Sequence, residues 1–196
     1  GVHVVDYDAI AVTFLDFDAP KIIDNAIFTS QQAVRSFLEK SQGVLSIKNC
    51  FCVGKKTKSF LEENGLKVIE IGQNAAELAQ NIAKNYKKRD FYYFCGTIRR
   101  KELPKALKSE KISVFEVKTY KTVLKTKKFD QKWDGILFFS PSGVASYISE
   151  NKPKKNSCAF CIGQTTATSA KKHFKSVVVA PTSTIESVLE KTIEAL

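Results

Sequence analysis

The sequence predicts an α/β protein of two similar parallel-sheet domains joined by a two-stranded hinge, one of the domains being discontinuous in the chain. Three observations predict it: a repeat at a constant offset of 110 residues, strands alternating with helices in both copies, and one copy that lies between the flanks of the other. Asp24–Leu38 aligns with Asp134–Ile148, and Asp24/Asp134, Phe28/Phe138, Ser30/Ser140, Val34/Val144 and Ser36/Ser146 are identical pairs. After a one-residue slip, Phe51-Cys-Val-Gly-Lys-Lys-Thr57 matches Phe160-Cys-Ile-Gly-Gln-Thr-Thr166, and Lys67–Ile71 matches Ser176–Ala180. Each match pairs elements of one kind, which chance seldom arranges.

The elements follow in order. Short apolar runs rich in Ile, Phe and Val, bounded by turn residues, read as strands. Residues 22–117 supply five of them: Ala26–Thr29, Cys50–Val53, Lys67–Ile71, Phe91–Cys95 and Ile112–Val117. A Ser/Thr turn and an amphipathic helix follow the first strand of each copy, over Ala33–Lys40 and Val144–Glu150. The second strand ends in Gly54 or Gly163, and Lys-Lys-Thr or Gln-Thr-Thr opens the next helix. Strands alternating with helices imply parallel sheets covered on both faces, here of the doubly wound, flavodoxin-like kind. Residues 21–117 are the expected inserted domain, and residues 1–20 with 118–196 the discontinuous one. Two crossings, near Phe14–Pro20 and Val117–Lys125, form the expected hinge, with the two domains facing each other across a cleft.

The same offset runs back to the start, where His3–Phe14 aligns with Ser113–Leu124. In the second copy that strand is preceded by a strand (Asp90–Cys95) and a helix (Arg100–Ser109). Nothing precedes it in the first, and the chain has no Met. The repeat therefore predicts a strand–helix unit of about 22 residues, the length of Arg89–Glu110, ahead of Gly1, the alternative being that the first copy has genuinely lost it.

Composition narrows the function. With 43% hydrophobic residues and 14 Phe in 196, the chain can build a packed core and is not a disordered segment. No apolar run approaches the ~20 residues of a membrane span, and no secretory signal opens the chain. The net charge of +11 attracts anions without naming them. A nucleic-acid or other polyanion-binding module is the competing class, but the lysines are dispersed and no aromatic stacking platform accompanies them. Five cysteines include Cys158-x-x-Cys161, with Cys50-x-Cys52 as possible further ligands. Cys52, Cys95 and Cys161 each end an apolar run, however, and there Cys acts as a small hydrophobe. An odd count in such places suggests a reducing, cytoplasmic setting, and no metal is expected.

Hydroxyl-rich turns at strand ends are the candidate ligand contacts. Thr29-Ser30 and Ser140-Pro141-Ser142-Gly143 lead from strands into helices, where free amides and the helix dipole suit an anion. Plain N-capping explains each turn taken singly. Gly96-Thr-Ile-Arg99-Arg100 stands out, because cations before a helix oppose its dipole. Arg99 and Arg100 bind an anion, pair with a carboxylate such as Glu102, or extend into water. No Ser-His-Asp set, phosphate loop or metal-ligand spacing appears.

Together these residues resemble the uroporphyrinogen-III synthase family. The resemblance rests on Ile27-Phe-Thr-Ser30, Val53-Gly54 with Thr57, Cys95-Gly96 followed by Arg100-Lys-Glu-Leu-Pro-Lys-Ala-Leu107, and Val117 with Tyr120-Lys-Thr122. Phe138-Phe-Ser-Pro-Ser-Gly143, Ile162-Gly-Gln-Thr-Thr-Ala167 and Ala180-Pro-Thr182 complete it over essentially the whole chain. It implies a cofactor-free lyase of haem biosynthesis that closes hydroxymethylbilane, an octacarboxylate, to uroporphyrinogen III with ring D inverted and water lost. The small-molecule substrate would be its partner, with no nucleic acid or membrane, and the protein a monomer. The resemblance assigns Tyr120 to assisting hydroxyl loss. Ser30, Thr57, Gly96, Arg99, Ser140, Ser142, Gly143, Thr165 and Thr166 would hold the substrate. Gln31-Gln32 and Gln164 depart from residues common in the family.

Overall fold

A computed structural model describes residues 3–195. The chain divides into two compact units: one spans Val12–Thr122, and the other takes the residues up to Ala11 and from Val123 onward. Both crossings fall inside strands, β1 (Ile10–Phe14) and β6 (Val114–Leu124).

The continuous unit runs β2 (Ile22–Phe28), α1 (Gln31–Ser41), β3 (Ser46–Val53), α2 (Lys55–Glu63), β4 (Val68–Gly72), α3 (Ala75–Asn85), β5 (Phe91–Gly96), α4 (Glu102–Ser109) and β6. All five sequence-predicted strands are present. Their order across the sheet is β6-β5-β2-β3-β4, with β1 beyond β6, and the pairings among β2–β6 are parallel. Counted along this segment the order is 3-2-1-4-5, not the 2-1-3-4-5 of a flavodoxin-like sheet. The chain winds outward from β2 to β4, then returns to place β5 on the other side of β2. The reversal between β2 and β5 is a topological switch point, where open α/β sheets bind ligands beyond the strand carboxyl ends.

Both faces of this sheet are buried, which is why its central strands are apolar without alternation. On one face Phe28, Phe37 and Phe94 cluster with Val34 and Leu61, and the Phe28 and Phe94 rings stack at 5.1 Å. On the other, Ile27, Phe51, Leu78, Ile82, Leu103 and Leu107 close under α3 and α4. Truncating a ring such as Phe94, which is 0% exposed, costs ~3–5 kcal/mol.

The discontinuous unit runs β7 (Gly135–Phe138), α5 (Pro141–Glu150), β8 (Cys158–Cys161), α6 (Gln164–Ala170), β9 (Ser176–Val179) and α7 (Ile185–Ala195). Its parallel sheet has the order β7-β8-β9, which repeats the β2-β3-β4 half of the other unit. Caps repeat as well: Ser30 takes the Ala33 N–H in α1, as Ser140 takes that of Gly143 in α5. Ser36 donates to the backbone carbonyl of Thr119 within β6, and Ser146 to that of Lys125 just beyond it. Those contacts account for two identities that burial alone would not demand. Among the described residues, no helix is long and apolar enough to cross a membrane.

Candidate active site

In the continuous unit the turn after β2, the turn after β5 and the end of β6 meet at the switch point. Ser30 follows β2 with extended backbone (φ −154°), so its side chain turns back to cap α1. Its Oγ lies 3.1 Å from the Tyr120 hydroxyl. That Oγ accepts the Ala33 N–H at 3.3 Å, and either hydroxyl can donate to the other; when Ser30 donates, the phenol proton is left for a ligand.

Tyr120 owes its place to an irregular ladder. Cys95 pairs with Lys118 but Gly96 pairs with Tyr120, so Thr119 is an extra residue opposite that step. Such a bulge re-aims the next side chain. Glu116 and Lys118 keep to the face of Cys95, whereas Tyr120 packs with the cluster under α1. The bulge leaves the Thr119 hydroxyl buried without a hydrogen-bond partner among the described residues. Gly96 is the second requirement: a Cβ there would stand 2.8 Å from the Tyr120 ring. The Thr97 N–H, bonded to the Tyr120 carbonyl at 2.9 Å, holds the two strands together beyond it.

Arg99 pairs with Glu116, not with Glu102, and Lys118 joins the same carboxylate at 2.8 Å. The α4 helix begins at Glu102 with Lys101 at its N-cap, so Arg100 and Lys101 sit at its positive end, and the pairing with Glu116 offsets the charge of Arg99 alone. Burial raises the Glu116 pKa, but hydrogen bonding and charge from Lys118, then from Arg99, outweigh it and hold the carboxyl below its ordinary value. Thr29 and Tyr93 form a further hydroxyl pair at 2.9 Å. Burial pushes the Tyr93 phenol up, with the Thr29 hydrogen bond opposing. Sequence reading overlooked Tyr93, Glu116 and Lys118, because their role depends on strand pairing across more than 20 positions.

Thr57, expected as a contact, is buried as the third residue of α2, after the turn at Gly54 (φ +83°), which glycine adopts without strain. Thr166 repeats this arrangement as the third residue of α6 after Gly163, buried like Thr57, while Thr165 is exposed. Ser140 caps α5, and Ser142 and Gly143 are half-buried in its first turn. The structure thus groups Ser30, Gly96 and Tyr120 in direct contact. Thr57, and separately Ser140, Ser142, Gly143, Thr165 and Thr166, occupy the strand-to-helix turns of their own units.

All five cysteines are free. Burial, with the charge of Cys52, pushes the Cys50 thiol up to about 12. Burial likewise sends Cys52 to about 11, against Lys58, and Cys161 to about 11, with Cys158 adding. At neutral pH these thiols keep their protons, as small apolar side chains of the core do.

Fold and site define a class first: a duplicated, doubly wound α/β protein whose strand-end turns present neutral hydroxyl and amide donors. The family model described as uroporphyrinogen-III synthase HemD matches residues 1–190, and the chain belongs to that family. The porphyrin biosynthesis protein HemD of Ruminiclostridium josui is 29% identical over 191 residues, covering 86% of this chain. The uroporphyrinogen-III synthase of Saccharomyces cerevisiae is 26% identical over 180 residues, covering 74% of it. The chain spans 37% and 66% of the lengths of these two relatives. In fold it is similar to the uroporphyrinogen-III synthetase of Helicobacter pylori, with a TM-score of 0.78 at 17% identity over 96% of this chain and 91% of that one. A uroporphyrinogen-III synthase from Thermus thermophilus gives 0.61 at 16% identity, over 95% and 86%.

Proposed function

We propose that this chain is a uroporphyrinogen-III synthase, a cofactor-independent lyase closing hydroxymethylbilane to uroporphyrinogen III with ring D inverted and one water released. Membership of the family supports the reaction. The observation that carries the assignment to residues is the Tyr120 hydroxyl, backed by Ser30 at 3.1 Å and seated on Gly96 at the switch point.

The chemistry suits such a site. An electron-rich pyrrole expels its hydroxyl readily, and the electron pair of that C–O bond leaves with the oxygen. A hydrogen bond from Tyr120 to the departing oxygen lowers its charge, and Ser30, donating in turn, steadies the phenol oxygen. The harder task is choosing which pyrrole carbon attacks the azafulvenium left behind. Left alone, the linear chain closes without inversion, so the catalyst must hold one conformer, which is positional work. Neutral donors at Thr57, Thr165, Thr166, Ser140 and Ser142, with the amides after Gly54, Gly96 and Gly163, would hold the acetates and propionates. Arg99 and Lys118 share the single carboxylate of Glu116, so the cluster keeps one net positive charge and would add long-range attraction rather than a direct ion pair. The substrate is the only partner this reading requires, and the protein would act as a cytoplasmic monomer.

The test is to supply hydroxymethylbilane to the purified chain, oxidise the product and separate isomers I and III. Isomer III in excess is expected. Isomer I alone, formed at the uncatalysed rate, would overturn the reading.

A further inference from the structure

Two consecutive residues of the continuous unit are each held by a tyrosine, from opposite faces of the sheet. Tyr93 of β5 pairs in the ladder with Ile27 of β2, and Phe94 with Phe28. Side chains two apart on an extended chain share a face, and Ser30 is still extended (φ −154°, ψ 149°). Thr29 therefore follows Ile27 on one face, and Ser30 follows Phe28 on the other. On the first face the Tyr93 ring lies in one cluster with Ile27, Phe51 and Leu103, and its hydroxyl meets Thr29 Oγ1 at 2.9 Å. On the second, Tyr120 packs against the cluster of Phe28 and Phe94 and meets Ser30 Oγ at 3.1 Å.

Packing does not account for the Tyr93 hydroxyl. Tyr93 is 3% exposed among apolar neighbours, so a phenylalanine would fill the same volume with no oxygen to satisfy. Among the described residues that oxygen bonds to Thr29. Thr29 is β-branched and stiff about χ1, so fixing its Oγ1 restrains the backbone that carries it. The next residue is Ser30, whose single oxygen accepts the Ala33 N–H and also lies against Tyr120. A small shift of the turn would move both of those contacts at once.

We propose that Tyr93 is a positioning residue: through Thr29 it fixes the turn after β2 and so sets the Ser30 oxygen against the Tyr120 hydroxyl. Its consequence for catalysis rests on the synthase reading above, whereas the restraint on Ser30 is a property of the unit itself. Tyr93 touches no reacting atom in this scheme. It acts on the phenol of β6 from the opposite face of the sheet, with Thr29 and Ser30 as the link.

The test uses the full chain with Tyr93→Phe, Thr29→Val and Thr29→Ser, each alone and the first two together. Without substrate, amide exchange at Ala33 reports the hold of Ser30. It is expected to quicken at least ~5-fold in Tyr93→Phe and Thr29→Val, while exchange at Leu107, in the same apolar cluster as Tyr93, stays within ~2-fold. Equal quickening at both positions would mean general loosening and overturn the proposal, as would an unchanged Ala33. In the isomer assay Tyr93→Phe and Thr29→Val should each lower kcat about 10-fold at nearly constant KM, and the pair together no further. Thr29→Ser keeps the oxygen and should lose at least ~3-fold less than Thr29→Val. With Tyr120→Phe already in place, Tyr93→Phe should change kcat by less than ~2-fold, and losses that multiply independently would overturn the proposal. If Tyr93→Phe does not fold, Thr29→Val against Thr29→Ser decides, because Thr29 is only half-buried. A parent chain that forms isomer I alone sinks the synthase reading and leaves Ala33 exchange to decide this one.

Discussion

At the scale of single residues, Tyr120 and Gly96 behave as one unit. Tyr120→Phe removes the donor and keeps the ring that rests on Gly96 and the cluster under α1. The expected result is a loss of ~10²-fold or more in kcat with Tm nearly unchanged, checked by the isomer assay beside a thermal melt. Retention of full activity would remove Tyr120 from the chemistry. Gly96→Ala differs, because the new Cβ meets ring carbons at 2.8 Å and the ring cannot stay where it is. It should cost ~1–3 kcal/mol of stability and also displace the hydroxyl from Ser30, so activity and Tm fall together. Glu116→Gln tests the charge cluster: Glu116 is held below its ordinary pKa, so its stabilisation is present above the unfolded carboxylate pKa and lost as pH falls through the folded one. The variant should weaken the acid-side drop in urea midpoint relative to the parent.

At the scale of elements, β3 and β8 store a pH dependence of the opposite sense. Cys50, Cys52 and Cys161 keep their protons in the folded state up to about 12, about 11 and about 11, whereas the unfolded thiols lose theirs near 9.0. Between those limits the folded state binds more protons, so stability falls as pH rises from 9.0 through the folded values. The slope is about 1.4 kcal/mol per pH unit for each thiol at most. Urea midpoints at pH 8 and pH 10.5 should differ more for the parent than for a variant in which the three are Ala. The helix caps are the second stabilising device at this scale. Ser140→Ala should cost ~1 kcal/mol through the lost bond to the Gly143 N–H, read as a shift in urea midpoint.

At the scale of the whole molecule, the net charge of +11 is spread rather than striped, so it acts as a field and not as a docking patch. For a polycarboxylate substrate the expected outcome is a KM that rises several-fold between ~50 and ~500 mM salt while kcat changes little, because screening weakens long-range attraction more than contacts at the site. A kcat that fell as steeply as kcat/KM would place the salt effect on the chemistry instead. How much of the molecule could be read in advance follows from range. Repeats, strands and caps are written in contiguous residues: Ser30 and Ser140 announce caps by type and position, and buried strands announce themselves by apolar runs. By itself the sequence determined the duplication, the helix-opening turns and the five strands of the continuous unit. Only the tertiary structure decided the 3-2-1-4-5 strand order, the pairing of Arg99 with Glu116, and the bulge at Thr119 that turns Tyr120 onto Ser30. Those depend on which strands become neighbours and in what register, and a one-residue change of register redirects every side chain beyond it.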